Sequence, residues 1–471
     1  MTLLIDSPAA AASRIRFDRW PSLTPPLATL VVCLIGIDSA SFWRDEAATL
    51  DAVARPIPAL LAMLTQVDAV HGVYYLLLWP IVRVFGSGEF AVRFPSALAM
   101  AATAYGIGRL GARLHSERAG VLAGLMFAVL PQVSRYGQEA RSYALVVATA
   151  VLTSHLLVVA LAEPTRRRWV GYGCAVAMLG LLNLFALLLL LAHAVFVLGP
   201  DRPHVRAWLL AAGLGCIPSV PILAFALRQQ DQLSWVGPPD VNSGGDLATW
   251  LAGSVLSAVL ASVLIGLFLG RRPVPLPLVS LTLPWLVLPP IVLTLGSELK
   301  PVYVQRYLLF CLPALTLLVG AGLATVAIVA RVLGVVLLAV LGLPTQGAVR
   351  QVGGHGDDIR EAAAILTRQA RPGDGVLFNC PSCHYPDMPR EFAFTYPQAF
   401  ARLVDVTIAE SPSASNTLRG TELAHPRLAG IGRVWVVDVD GGAEPAALRG
   451  SGFRLVATQR AGNIEIEDYQ R

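Results

Sequence analysis

The sequence predicts a polytopic α-helical membrane protein with a small α/β domain at its carboxyl end, and three observations predict it. The chain is 55% hydrophobic and only 14% charged, with a mean hydropathy of +0.62, a composition suited to lipid surroundings. Apolar stretches approaching the roughly 20 residues that a bilayer demands recur from residue 25 to residue 344. Beyond residue 344 no such stretch occurs and charged residues return.

Spans are read at 25–41, 91–110, 119–134, 143–162, 169–182, 184–199, 207–227, 247–270, 275–296, 306–325 and 328–344, about eleven in all. A polar start with Arg14, Arg16 and Arg19 precedes the first. No small-residue cleavage site follows it, so it reads as a retained span instead of a cleaved signal. The remaining arginine groups sort to the same side: 109, 113 and 118; 166 to 168; 202 and 206; 271 and 272. The positive-inside rule makes that side cytoplasmic. These loops account for the net charge of +5. No basic run interleaved with aromatics occurs, which sets nucleic-acid binding aside. Lys300 is the single lysine among 36 basic residues, a usage that suggests a GC-rich bacterial genome and hence a bacterial cytoplasmic membrane.

The parity of the spans turns on Val73–Phe85, which is apolar but too short to cross comfortably. Counting it would put the arginines at 109–118 outside. It is therefore read as an interfacial helix, with its tyrosines and Trp79 at headgroup level and Pro80 bending it. Residues 42–90 then form one long external loop with two juxtamembrane helices.

The chain is divided into a transmembrane domain, 1–344, and an extracytoplasmic α/β domain, 345–471. Within the second, Asp357 to Ala370 has helical period, while Gly375 to Asn379 and Val434 to Val439 read as strands. Cys33, Cys174, Cys216 and Cys311 fall in spans as small apolar fillers. The run Cys380-Pro381-Ser382-Cys383-His384 fits a local disulfide in an oxidising compartment, accessory thiols, or the Cys-x-x-Cys-His haem-attachment pattern.

Candidate chemistry lies at the outer span ends. Asp45 and Glu46 follow the first span, where adjacent carboxylates are costly unless they start a solvated helix or do chemical work. His71, beside Tyr74 and Tyr75, is a base, a ligand or an interfacial anchor. The loop from Ser134 to Tyr143 carries Arg135, Glu139 and Arg141, a set suited to a sugar or phosphate. Arg306, before Tyr307, stands at the mouth of a span, where it either snorkels to a lipid headgroup or grips a lipid-linked phosphate. Arg93 lies just inside the outer end of the second span. An outward carboxylate as base, cationic donors for a leaving phosphate and lipid-accessible spans together suit transfer of a sugar from a lipid carrier. With one base and direct displacement, the anomeric configuration inverts.

These motifs, taken in order over residues 20–325, resemble the GT-C glycosyltransferases of the protein mannosyltransferase-like family 39, in particular its actinobacterial members. They are Asp45-Glu46, His71-Gly-Val-Tyr-Tyr75, Glu89-Phe-Ala-Val-Arg93-Phe-Pro-Ser, Ser134-Arg-Tyr-Gly-Gln-Glu-Ala-Arg-Ser-Tyr143 and Gln305-Arg306-Tyr307. The resemblance implies the GT-C fold and a polyprenyl-phosphate sugar donor, often polyprenyl-phosphomannose, used on the outer face of the cytoplasmic membrane. The acceptor would be a hydroxyl of a cell-envelope glycolipid, polysaccharide or protein. It implies Asp45 as catalytic base, Glu46 as its acidic neighbour, Arg93 as the second-span arginine and Arg306 as a donor-phosphate contact. Where many relatives show His-Pro-Pro this chain has His71-Gly72-Val73, which leaves the role of His71 open.

Some GT-C enzymes hold a divalent cation between external acids, and Glu46 with Glu139 would offer two carboxylates. No third ligand is evident, and metal-independent chemistry is expected. Two other readings remain: an arabinosyltransferase using a polyprenyl-phosphate pentose, and a non-enzymatic transporter or flippase of lipid-linked sugars. Against the last, the charges gather at span ends, away from the midplane, and no inverted repeat is visible.

Overall fold

The computed structural model describes residues 19–199, 204–240, 242–383, 385–439, 441 and 445–471. Arg14, Arg16 and Arg202, and His384 of the Cys-x-x-Cys-His run, lie outside these residues. Helix α1 (Arg19–Leu34) leads into a loop and then into α2 (Arg44–Ala54), α3 (Ile57–Leu64) and α4 (Gly72–Phe85). Acidic residues suit the first turn of α2 because they face the unpaired N–H groups there. Helix α4 continues unbroken through Pro80, where the sequence led us to expect a bend. It buries Tyr74, Tyr75 and Leu78 and exposes Leu76, Leu77, Val84 and Phe85.

The apolar helices follow as α5 (Glu89–Leu114), α6 (Glu117–Val129), α7 (Pro131–Gly137), α8 (Tyr143–Ala162), α9 (Arg166–Leu182) and α10 (Leu189–Val197). Then come α11 (Val205–Cys216), α12 (Ser219–Arg228), α13 (Ser243–Ala252), α14 (Val255–Leu269), α15 (Leu276–Leu299), α16 (Leu312–Thr325) and α17 (Ile328–Val349). Among the described residues, four helical segments are long and apolar enough to cross a membrane, and up to seven if each of three bent pairs counts as one. The chain is thus a multi-pass membrane protein. Expected spans 119–134, 207–227 and 247–270 are not straight: α6 and α7 meet at 65°, α11 and α12 at 49°, and α13 and α14 at 88°. The causes are local. Pro131 starts α7 without an N–H to continue the preceding ladder, and Pro218 precedes α12. Gly253 takes φ +89 between α13 and α14, where Ser254 Oγ caps the next turn by accepting from Ser257 N at 3.1 Å. Small residues let the bundle close: a Cβ on Gly120 of α6 would lie 2.2 Å from Gly108 O of α5.

Helix α17 runs through Pro344 to Val349, beyond the boundary expected there. It presents Val329, Val332, Leu333, Val336 and Val340 outward, as a helix bordering lipid does. A strap, 350–358, then leads to α18 (Ile359–Gln369) and strand β1 (Gly375–Asn379). The short strands β2 (Val404–Asp405), β3 (Ile408–Glu410) and β4 (Thr421–Glu422) precede β5 (Arg433–Val439), β6 (Arg454–Ala461) and β7 (Ile464–Gln470). The main sheet has the order β2-β1-β5-β7-β6, parallel at β2-β1-β5 and antiparallel through β7 and β6. Residues 434–439 of β5 are all buried, as a strand covered on both faces requires. Cys380 and Cys383 are joined in a disulfide just after β1.

The sheet region and the segment 42–90 share one core. Phe42, Leu50, Val53, Leu60, Tyr75 and Leu78 cluster with Ile359, Leu366, Phe378, Phe392, Trp435 and Ile464. Polar clamps reinforce it: Arg44 Nη2 donates to Asp357 at 3.0 Å, and Arg360 Nη2 to Glu89 at 2.9 Å. Burial at this junction fixes α2 from both sides, so the carboxylates of its first turn sit on a rigid support.

Candidate active site

Asp45 occupies the first turn of α2, after Trp43. Its Oδ2 is 3.7 Å from Arg306 Nη2 and 4.0 Å from Arg141 Nε, and it has no hydrogen-bond partner. The side chain keeps 20% of its exposure. Burial pushes its pKa up, but the charges of Arg141 and Arg306, with Arg135 behind them, outweigh that and hold it below the ordinary aspartate value. Asp45 is therefore a carboxylate that is ionised, partly open and not consumed by direct hydrogen bonds.

Arg141 is locked in place. Its Nη1 donates to Asp45 O at 3.2 Å and to Thr49 Oγ1 and Tyr75 Oη at 3.3 Å, and its Nη2 lies 2.8 Å from His71 Nε2. A guanidinium only donates, so Nε2 must be the bare, accepting nitrogen and the ring proton sits on Nδ1. Burial and then Arg141 hold the His71 pKa well below its usual value, Asp45 opposing them, and the ring is neutral. Tyr75 in turn donates to Asp68 Oδ2 at 2.6 Å. His71 and Tyr75 thus support Arg141, and Arg141 supports Asp45.

Arg306 stands in the 3-10 turn Gln305–Cys311 that feeds α16. Its guanidinium lies 5.5 Å from the Trp235 ring and 6.0 Å from those of Trp43 and Tyr307. Tyr307 stacks on Phe185 at 5.2 Å. Arg135 of α7 also approaches Trp43, 5.1 Å from the indole, and lies 3.4 Å from Glu139 Oε2. Glu139 is buried with neither oxygen hydrogen-bonded. Its pKa rises to about 7, from burial first, against Arg135, with the charges of Glu46 and Asp45 adding to the rise.

The structure does not place Glu46 and Arg93 at this open mouth. Arg93 Nε and Nη2 donate to Glu46 Oε1 and Oε2 at 2.8 and 2.6 Å, and both side chains are fully buried. Ala140 N adds a bond to Glu46 Oε1 at 2.8 Å. Arg93 also caps the carbonyls of Ile37, Ala40 and Ser41, tying the end of α1 to α2. Every polar atom of the pair is thereby engaged inside the protein, so neither of these two candidates has an unpaired polar atom to offer a ligand. The two carboxylates considered for a cation are separately engaged, Glu46 by Arg93 and Glu139 by Arg135. Among the described residues no three His, Cys, Asp or Glu groups gather as a metal site, and the residues present do not fit a resident cation.

Several members of the site lie outside the set read from the sequence: Trp43 near the guanidiniums of Arg135 and Arg306, Thr49 and Asp68 in the support of Arg141, and Trp235 against Arg306. Only the proximity of Trp43 to Asp45 in the chain was a signal for any of them. Buried polar atoms ordinarily have partners. Here Asp45 Oδ2, Arg135 Nη1, Arg141 Nε, Arg306 Nε, Trp43 Nε1 and both oxygens of Glu139 have no hydrogen-bond partner, all in one place. Such a concentration marks a ligand site of mixed polarity with cationic excess.

The Glu139 shift has a direct consequence for stability. Its folded value of about 7 lies above the ordinary 4.5, so the folded state holds a proton that the unfolded chain releases. Stability from this group is present below pH 4.5 and is lost as pH rises toward 7. Glu139→Gln should therefore gain apparent Tm relative to wild type as pH is raised from 5 to 8 in detergent. Parallel Tm curves for the two proteins over that range would refute the burial assigned to this carboxyl.

A family profile described as dolichyl-phosphate-mannose-protein mannosyltransferase matches residues 72–225, the stretch from α4 to α12 that holds Tyr75, Arg93, Arg135, Glu139 and Arg141. No curated protein sequence matches the chain. The fold is similar to that of ArnT from Cupriavidus metallidurans, in the apo state (TM-score 0.61, 13% identity) and bound to undecaprenyl phosphate (TM-score 0.59, 14% identity). Each likeness covers 96% of this chain and 98% of that one. It is also similar to the apo Archaeoglobus fulgidus oligosaccharyltransferase, with a TM-score of 0.52 and 10% identity over 90% of this chain and 70% of that one. The protein is a multi-pass membrane protein with the fold of the GT-C superfamily.

Proposed function

We propose that the protein is a glycosyltransferase that moves a sugar, mannose being the first candidate, from a polyprenyl-phosphate donor to a hydroxyl of a cell-envelope acceptor at the outer face of the cytoplasmic membrane. The observation that carries this reading is the Asp45 carboxylate, unbonded at Oδ2 and flanked by Arg306 and Arg141. Asp45 accepts the proton of the attacking hydroxyl as its oxygen bonds to C1 of the sugar. The bond between C1 and the phosphate oxygen breaks, and the electron pair leaves with the lipid phosphate. Arg306 neutralises the charge that develops there, where a fixed cation does most. His71 and Tyr75 position Arg141, and the Glu46–Arg93 pair positions the turn that carries Asp45. Trp43, Trp235 and Tyr307 provide aromatic walls.

The family match and the lipid phosphate bound to the ArnT of similar fold support a polyprenyl-phosphate donor. The sugar rests on the family match alone, and a pentose such as arabinose is the alternative. Purified protein in detergent should transfer radiolabelled mannose from polyprenyl-phosphomannose to a membrane acceptor extract. A transporter has no second compartment in detergent and would give no labelled product, and absence of transfer from either the mannosyl or the pentosyl lipid would refute the enzyme reading.

A further inference from the structure

The strap between α17 and α18 carries a histidine that the mechanism above leaves unused. His355 is 4% exposed, and neither ring nitrogen has a hydrogen-bond partner. Its position is set from both sides. Arg350 Nε and Nη2 donate to Ile35 O at 2.8 Å and Val32 O at 2.7 Å, and Ser41 N donates to Val352 O at 2.8 Å. Asp357 accepts from Arg44 N at 2.9 Å and from Asn463 Nδ2 at 2.8 Å. A Cβ on Gly354 would lie 2.4 Å from Ala348 O, so the strap turns where only glycine fits. A histidine held this firmly and left unsatisfied at both nitrogens is a group waiting for a ligand, because buried polar atoms otherwise find partners.

Its neighbourhood identifies the ligand. A Cβ on the next residue, Gly356, would lie 4.0 Å from the Trp43 ring, and Trp43 Nε1 is itself unbonded. Arg135, over that ring, and Glu139, in an ion pair with it at 3.4 Å, supply further atoms that make no hydrogen bond. Burial first, then the charges of Arg135 and Arg93, hold the imidazole neutral, with one donor and one acceptor nitrogen. The atoms without hydrogen bonds thus include both donors (Trp43 Nε1, Arg135 Nη1, one His355 nitrogen) and acceptors (the other His355 nitrogen and the Glu139 oxygens). A phosphate wants donors only, whereas the hydroxyls of a sugar ring both donate and accept. The Trp43 indole lies near both Arg135 and Arg306, so a sugar held beside Trp43 adjoins a phosphate at Arg306.

We propose that His355, with Trp43, Arg135 and Glu139, forms the subsite that binds the hydroxyls of the donor's sugar. This rests on the reading of the protein as a polyprenyl-phosphate-sugar transferase, but binding tests it without turnover. Full-length protein in detergent is titrated with polyprenyl-phosphomannose, a polyprenyl-phosphate pentose and sugar-free polyprenyl phosphate, by tryptophan fluorescence. Wild type should bind one sugar-bearing lipid about tenfold more tightly than the bare lipid, the order of one buried hydrogen-bonding group. His355→Ala should abolish that preference while leaving affinity for the bare lipid unchanged, and His355→Gln, which keeps a donor and an acceptor, should retain part of it. A wild type without preference, a preference that survives His355→Ala, or equal loss of affinity for all three lipids would each overturn the subsite. Failure of transfer with this binding pattern intact would instead overturn the enzyme reading and leave the subsite standing.

Discussion

Asp45→Asn should lower sugar transfer by roughly 10²- to 10⁴-fold, the usual worth of a general base, while leaving the fold and donor binding nearly unchanged. Its amide has almost the same shape, and the contacts of Asp45 Oδ2 are two ion pairs at 3.7 and 4.0 Å instead of hydrogen bonds. Removing the charge therefore breaks no buried hydrogen bond at that oxygen, and the loss falls on the proton transfer. The free carboxylate is a weak base because the arginines hold its pKa down. A phosphate bound at Arg306 offsets one of those cations, so donor binding should raise the basicity of Asp45 at the moment it is needed. The check is turnover by wild type and variant beside their Tm values and donor affinities. Equal turnover would remove Asp45 from the mechanism.

The largest effect on stability should come from Arg93→Met or Glu46→Gln. Each breaks a buried, doubly bonded ion pair and strands the remaining partner, which costs about 3–5 kcal/mol. Arg93→Met also frees the carbonyls of Ile37, Ala40 and Ser41, and so should be the worse of the two. The double variant Glu46→Gln/Arg93→Met should recover part of the loss, because no uncompensated charge is left. Denaturation midpoints in detergent measure this. Single variants as stable as wild type, or a double variant less stable than the sum of the singles, would contradict the pairing.

The architecture was legible in the sequence where apolar length and charge spoke together. The order of apolar helices, the helix at 359–369 and the strands at 375–379 and 433–439 follow from long apolar runs and from hydrophobic period. The helix breaks did not, although Pro131, Pro218 and Gly253 stand at them, because a hydropathy window averages across a single breaker. Strands β6 and β7 escaped for a different reason. Most of β6 is exposed, so nothing apolar marks it, and β7 reads Ile464-Glu-Ile-Glu-Asp-Tyr-Gln470, rich in acids that later find partners such as Arg433 on β5.

At the site, Asp45, His71, Arg141 and Arg306 stand out in sequence because a charge at the end of an apolar stretch is conspicuous. The structure brings these four together. What sequence cannot reveal is pairing across the chain. Glu46 and Arg93, 47 positions apart, look as reactive as their neighbours until their mutual hydrogen bonds are seen. Trp43 and Trp235 reach the site through helix-end and loop geometry that no local pattern encodes.

The most direct measurement of the central claim is the anomeric configuration of the product made by purified protein from a polyprenyl-phosphate sugar, read by NMR. A single base at Asp45, with the phosphate leaving from the opposite side of C1, predicts a product inverted relative to the donor. A retained configuration would contradict it, because retention needs a second displacement and a nucleophile that this role for Asp45 does not provide.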